Sequence, residues 1–215
     1  LLLLFLDGVG IGSDDPSVNP FFSAELPTLR DLSGGRLPTL EDPTPSASVL
    51  PLDAGLDVPG TPQSGTGQAA LLTGSSAAEL NGGHFGPWTP VGLRPMVENR
   101  SVLRRAVEGG RSAAFANAYP RGWPGPRGSR RVAGPPLAAK GAGLLDRHEE
   151  RLGEGAAVSS EIVNDGWKTH LGHEWLPDVT VEQAGSNLAR IASHHDLTLY
   201  AHYATDTAGH RGGME

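Results

Sequence analysis

The stretch from Thr180 to Tyr203, TVEQAGSNLARIASHHDLTLYAHY, decides the fold class because a helical pattern passes directly into a strand pattern within it. Thr180 is a good helix N-cap and Gln183 follows three residues later, so the pair predicts a capping box. The apolar positions that follow recur at helical spacing: Val181, Ala184, Leu188 and Ile191. We therefore expect a helix from Thr180 to His194.

Strand patterns follow that helix and also open the chain. Residues 197–203 alternate between apolar and more polar positions, which predicts a strand with one buried face. Residues 1–6 form a continuous apolar run ended by Asp7 and Gly8, which is typical of a fully buried strand. Residues 112–118 and 156–159 predict two more strands. Short strands alternating with helices indicate an α/β fold: a mostly parallel sheet flanked by helices on both faces.

The other elements are predicted from Gly, Pro and apolar spacing. We expect helices over residues 26–32, 65–80 and 97–108, and a loop over residues 36–63, which contain six prolines. Residues 120–143 are rich in Pro, Gly and basic side chains and contain no acidic residue. That stretch is either a solvated loop or a basic flap, a reduced cap that would meet an anionic substrate.

Composition bounds the class of protein before any motif is considered. The 215 residues carry a formal net charge of −7, which disfavours the broad basic surface of a nucleic-acid partner. Absence of cysteine excludes disulfides, thiolate zinc sites and a cysteine nucleophile. The apolar run at residues 1–6 is too short to cross a bilayer and lacks the flanks of a signal peptide. We expect a single domain over residues 1–215, no membrane partner and a cytoplasmic location.

Three motifs could carry chemistry. In an open parallel sheet, ligands bind beyond the carboxyl ends of strands, and both Asp7 and Asp206 follow predicted strands. His210 lies four residues after Asp206, and an Asp and a His suit zinc or manganese, although such spacing alone also occurs on ordinary surfaces. Ser64 and Thr66 lie on a turn that enters a helix, where a hydroxyl is either a nucleophile or an N-cap.

The order of these motifs resembles the alkaline phosphatase superfamily. The matching stretches are FLDGVG at residues 5–10, SGTGQ at 64–68 and DTAGH at 206–210. The likeness is closest to the metalloenzyme branch that contains cofactor-independent phosphoglycerate mutase and phosphopentomutase. It implies an alkaline-phosphatase-like core and a small phosphorylated substrate.

The resemblance also implies a pair of divalent metal ions, manganese or zinc, bridged by a phosphate. By position, Asp7 and Ser64 would bind one ion, and Asp206 and His210 the other. Ser64 would attack phosphorus in line, with Thr66 as the second choice of nucleophile. All of these residues would have to converge on one phosphate pocket at the rim of the sheet.

Two further residues are candidates for substrate contact. Gln68 stands where the family usually has a histidine, so a role that needs an imidazole there does not transfer to this chain. His84 follows the predicted nucleophile helix and either faces the substrate or is an ordinary loop histidine.

The chain also departs from the family in its late motifs. The family supplies an adjacent Asp-His pair and a further His after the position of His210, and this sequence has no Asp-His step. We expect those ligands, with the last strands, in a segment after Glu215.

The segment between Ser64 and Asp206 is too short for the core elements and a large cap domain together. The expected activity is therefore hydrolysis of a phosphate mono- or diester. A phosphoglycerate-mutase-like phosphotransferase and a degenerate, non-catalytic binding protein are the alternatives.

Overall fold

A three-stranded parallel sheet forms the centre of the computed structural model, which describes residues 1–125 and 130–211. The strands are β1 (Leu2–Leu6), β2 (Ala113–Phe115) and β3 (Leu197–His202). Their order is β1-β3-β2, and both outer strands pair in parallel with β3. The predicted α/β class and parallel pairing are confirmed, in a small sheet.

Helices occupy much of the remaining chain. Those before β2 are α1 (Pro20–Ser23), α2 (Pro27–Leu32), α3 (Ser64–Thr73), α4 (Ala77–Asn81), α5 (Arg94–Arg100) and α6 (Val102–Glu108). Those after β2 are α7 (Gly134–Gly141), α8 (Glu149–Gly153), α9 (Asp165–Leu171), α10 (Val181–Ser193) and α11 (Ala204–Arg211). None of the helices in these described ranges is long and apolar enough to cross a membrane.

The chain divides into two compact units. The first contains Leu1–Asp7 and Gly55–Ala204, and therefore the whole sheet. The second contains Gly8–Ala54 and Thr205–Glu215. Residues 36–63 contain neither helix nor strand, as their prolines predict.

The central strand β3 is buried along its entire length, including its polar alternate positions. Leu199 lies in a core cluster that includes Leu72 of α3 and Val97 of α5, whereas Tyr200 lies in a cluster with Leu188 of α10. Helices thus cover both faces of β3, as predicted. The hydroxyl of Tyr200 donates to the carbonyl of Ser159 at 2.8 Å, which satisfies this buried polar group.

Strand β1 is less buried than its apolar run predicts. Leu3 and Phe5 pack against the main core, but Leu2 and Leu4 are 38% and 47% exposed. The expectation of a fully buried strand is wrong because β1 lies at the edge of the sheet within the described residues, with one face covered.

The predicted helices 65–80 and 97–108 are each divided in two. Gly74 adopts a left-handed conformation (φ 70°) after α3, and α4 begins three residues later. Ser101 is extended after α5, and its hydroxyl accepts from the backbone N–H of Arg104 to cap α6. Local capping therefore ends helices that apolar spacing alone would continue. Helix α10 keeps its predicted capping box intact.

The stretch 120–143 is not a loop throughout, because α7 forms at its carboxyl end. Pro135 and Pro136 lie in the first turn of α7, where a missing N–H loses no hydrogen bond, and both are buried. Of the basic residues, Arg121 pairs with Glu150 at 2.7 Å, and Arg127 lies outside the described residues.

The predicted strand 156–159 is reduced to two isolated bridges, a parallel one between Asn117 and Val158 and an antiparallel one between Ser159 and Ile162. Strand β2 is also shorter than expected, since its ladder with β3 pairs residues 113–115. Beyond it, the Asn117 side chain replaces the ladder: its amide donates to the carbonyl of Ala201 at 2.7 Å and accepts from the Ala201 N–H at 2.9 Å.

Candidate functional site

Asp7 occupies the carboxyl end of β1, where its backbone N–H donates to the carbonyl of His202 at 3.0 Å and continues the ladder with β3. The residue is only 8% exposed. A buried carboxylate needs hydrogen-bond donors, since an unpaired buried charge is costly. Helix α3 supplies two of them.

Ser64 and Gln68 of α3 both donate to Asp7. The Ser64 hydroxyl lies 3.1 Å from Oδ1, and the Gln68 Nε2 lies 2.9 Å from Oδ2. The two residues are four apart, so they lie on the same face of the helix. The structure therefore brings together two predicted site residues, Asp7 and Ser64, that are 57 positions apart in the chain.

Gln68 is a buried link rather than part of an exposed surface. It is 3% exposed, and its Oε1 accepts from the N–H of Gly134, the first residue of α7, at 2.9 Å. Gly134 approaches so closely that a Cβ there would lie 3.0 Å from the Cβ of Gln68. The motif made Gln68 a candidate for substrate contact, but nothing in the sequence predicts that Gly134 of α7 is its hydrogen-bond partner.

Thr66, the second choice of nucleophile, is fully buried. Its hydroxyl donates to the carbonyl of Gln63 at 3.2 Å and accepts from the N–H of Phe85 at 3.2 Å. The same Phe85 accepts from the Thr66 N–H at 3.0 Å. These hydrogen bonds connect Thr66 to the loop at residue 85, whereas the side chain of Ser64 is only partly buried.

An open cleft of about 470 Å³ lies beside the start of α3. Among the described residues its lining comes from positions 59–61, 63 and 84–86 and contains no Asp, Glu, Lys or Arg. His84 lies in this lining, and its Nε2 is 3.0 Å from the carbonyl of Val58. A carbonyl can only accept, so the Nε2–H of His84 donates in this contact.

Asp206 and His210 lie together on α11, one turn apart. The His210 Nε2 is 3.5 Å from Asp206 Oδ1, with the His210 side chain 79% exposed and that of Asp206 29% exposed. Gly8, with φ of +71°, packs against this turn, and a Cβ at Gly8 would lie 2.7 Å from the Cα of Asp206. This pair belongs to the second compact unit, whereas Asp7 and Ser64 belong to the first.

Both pairs fit a divalent cation in their donor chemistry. A carboxylate with a hydroxyl and a carboxylate with an imidazole are ligands that manganese and zinc accept. Within residues 1–125 and 130–211, no group of three or more His, Asp or Glu side chains is gathered as a metal site. Each pair by itself would supply only two of the donors that such an ion needs.

Tyr203, which sequence reasoning placed only in a strand, belongs to the surroundings of Asp7. Burial, the neighbouring phenol of Tyr119 and the charge of Asp7 all raise the pKa of Tyr203 well above its usual value. Burial also raises the pKa of Tyr119 to about 12, and the Tyr119 hydroxyl donates to Tyr203 at 3.4 Å. Both phenols therefore stay neutral near the carboxylate at physiological pH.

Comparison with known proteins assigns no family. No protein-family model, curated protein or solved structure matches the chain. The function is therefore argued from the site and from the motif resemblance.

Proposed function

We propose that this protein is a metal-dependent phosphoryl-transfer enzyme that hydrolyses a phosphate mono- or diester, with Ser64 as nucleophile and an alkaline-phosphatase-like core. The observation that carries the proposal is the hydrogen bond from the Ser64 hydroxyl to the buried carboxylate of Asp7. The motif resemblance points to the same two residues.

Ser64 has the position that a nucleophile needs. It is the first residue of α3 and is partly exposed, whereas Thr66 is fully buried. The amino end of a helix carries partial positive charge and unpaired N–H groups, which favour a bound phosphate. A phosphoryl group held there would lie next to the Ser64 hydroxyl.

Asp7 and Ser64 would hold one divalent ion, and Asp206 and His210 would offer donors to a second. When bound, such ions neutralise phosphate oxygens and make a serine hydroxyl easier to deprotonate. Asp7 is positioned to hold such an ion because hydrogen bonds from Ser64 and Gln68 already orient its two carboxylate oxygens.

The protein residues then supply a balanced displacement. Ser64 Oγ forms a bond to phosphorus as the bond from phosphorus to the ester oxygen breaks, and the Ser64 proton passes to Asp7 Oδ1. The alcohol leaves after taking a proton from solvent. Water then attacks the phosphorus of the phosphorylated Ser64, and Asp7 returns its proton to the departing Ser64 Oγ. The product is inorganic phosphate from a monoester and the corresponding phosphate monoester from a diester.

The cleft beside α3 supports an ester of a neutral alcohol. Its described lining carries no Lys or Arg, and His84 and Phe85 offer an imidazole and an apolar ring. A phosphoglycerate would bring an additional carboxylate, which proteins normally bind with a cation. The described lining of the cleft offers no such cation.

Release of p-nitrophenol from p-nitrophenyl phosphate and from bis(p-nitrophenyl) phosphate, with manganese or zinc added, tests the proposal. Wild-type protein should turn over at least one substrate in a metal-dependent way. Ser64→Ala should lose nearly all turnover because it lacks the nucleophile. Its circular dichroism spectrum should stay unchanged, since the substitution removes only one partly exposed hydroxyl. Mass spectrometry of acid-quenched wild-type protein should find phosphate on Ser64.

Three results would count against the proposal. Near-normal turnover by Ser64→Ala would move the nucleophile elsewhere. Conversion of 3-phosphoglycerate to its isomer without phosphate release would favour the mutase. Absence of both metal binding and turnover in the wild type would favour a non-catalytic binding protein.

A further inference from the structure

Gln68 is fixed at both ends of its side-chain amide, and this double attachment singles it out from the other polar residues of α3. Its Nε2 donates to Asp7 Oδ2 at 2.9 Å, and its Oε1 accepts from the Gly134 N–H at 2.9 Å. We propose that Gln68 is a positioning residue that orients the Asp7 carboxylate for Ser64 and for a divalent ion. The metal part of this inference rests on the proposed function.

The orientation of the amide follows from its partners. Oδ2 of an ionised carboxylate can only accept and a backbone N–H can only donate. Turning the amide over would place oxygen against oxygen at Asp7 and nitrogen against nitrogen at Gly134. The environment therefore selects one orientation, in which the donor faces Asp7.

Burial separates this role from direct contact with substrate or metal. Gln68 is 3% exposed, and both of its polar atoms already have partners. An amide is also neutral at every physiological pH, so it holds the carboxylate without adding a charge or a competing anionic ligand.

The attachment to α7 makes the position of Asp7 depend on a second helix. A Cβ on Gly134 would lie 3.0 Å from Gln68 Cβ and 3.2 Å from Oε1. Gly134 therefore lies so close to Gln68 that a side chain at residue 134 would press on it, and the first turn of α7 limits where the Gln68 amide can lie. Asp7 Oδ2 is thus fixed through Gln68 by α7, while Oδ1 remains directed at Ser64.

Gln68→Met tests the inference because methionine keeps the length and approximate volume of the side chain and removes both hydrogen bonds. Loss of a hydrogen bond to a metal-ligating group typically lowers metal affinity about 10–100-fold, and we expect a decrease in Mn²⁺ affinity of that size. Isothermal titration with Mn²⁺ measures it on the metal-free protein, with thermal unfolding recorded in parallel.

Thr73→Val is the matched control. Thr73 is a buried polar residue of the same helix, and its hydroxyl donates to the carbonyl of Ala69 at 2.7 Å, away from Asp7. The Thr73→Val variant should be less stable than the wild type, but its Mn²⁺ affinity should not fall as far as that of Gln68→Met. Equal losses of affinity in Gln68→Met and Thr73→Val would show a general effect of destabilisation and overturn the inference.

Two further measurements keep the inference testable if Gln68→Met folds poorly or the wild type binds no ion. Gly134→Ala displaces Gln68 without changing that residue, and should lower Mn²⁺ affinity by a smaller factor than Gln68→Met does.

A crystal structure of metal-free Gln68→Met, or of Gly134→Ala, should show the Asp7 carboxylate turned from Ser64. An unchanged contact of about 3.1 Å between Ser64 Oγ and Asp7 Oδ1 would overturn the positioning role whatever the metal result. Absence of Mn²⁺ binding by the wild type would instead count against the proposed function.

Discussion

Gly65→Ala should destabilise the protein strongly, although alanine is normally favoured over glycine in a helix. A Cβ at residue 65 would lie 2.1 Å from the carbonyl oxygen of Trp88 and 2.6 Å from that of Phe85. Real Cβ contacts stay above 3.0 Å, so the loop would have to retreat by about 0.9 Å. Both obstructing atoms belong to the backbone and cannot rotate away.

The cost follows from what fastens that loop to α3. Thr66 and Phe85 exchange two hydrogen bonds, at 3.0 and 3.2 Å, which the retreat would break or stretch. Each is worth about 1 kcal/mol net, and overpacking a tight contact adds about 1–3 kcal/mol. Subtracting about 1 kcal/mol for the helix preference of alanine leaves a loss of about 2–4 kcal/mol.

Gly67→Ala is the matched control, since it changes the same residue type two positions further along α3. A Cβ at residue 67 would meet nothing within 4 Å, so alanine should stabilise the helix by up to about 1 kcal/mol. Urea unfolding followed by circular dichroism compares the two. With a slope near 2 kcal/mol per molar urea, Gly65→Ala should lower the midpoint by roughly 1–2 M. Equal midpoints for both variants would refute the close approach of the loop to α3.

Two further outcomes are expected. Thr66→Val should lower the free energy of unfolding by about 1–3 kcal/mol, because the Phe85 N–H loses its acceptor, yet keep most turnover; loss of turnover in a folded protein would reopen Thr66 as nucleophile. Hydrogen bonds from the Ser112 N–H and hydroxyl lower the pKa of Asp196, so its ionised form stabilises the fold above the unfolded pKa of about 3.9. That contribution is lost as the pH falls through the lower folded pKa, so the urea midpoints of wild type and Asp196→Asn should differ at pH 7 and approach each other in acid. A pH-independent difference would contradict this linkage.

Local signals in the sequence were enough to predict individual elements. The capping box and apolar spacing after Thr180 predict α10, and the pattern beyond it predicts β3, because caps and side-chain periodicity act within one or two turns of chain. The motif around residue 64 likewise placed a hydroxyl at a helix start. The family resemblance then proposed Ser64 and Asp7 as ligands of one ion, but it could not show how close their side chains lie.

Burial of particular faces and contacts between distant side chains depend instead on how the elements pack together. Helices on both sides of β3 bury polar positions that alternation assigns to solvent, while the edge position of β1 leaves Leu2 and Leu4 exposed. The contact of Gln68 with Gly134 spans 66 positions, and nothing local in either segment encodes it. Such contacts depend on how α3, α7 and the sheet pack together, which is set by the summed burial of the core rather than by any single motif.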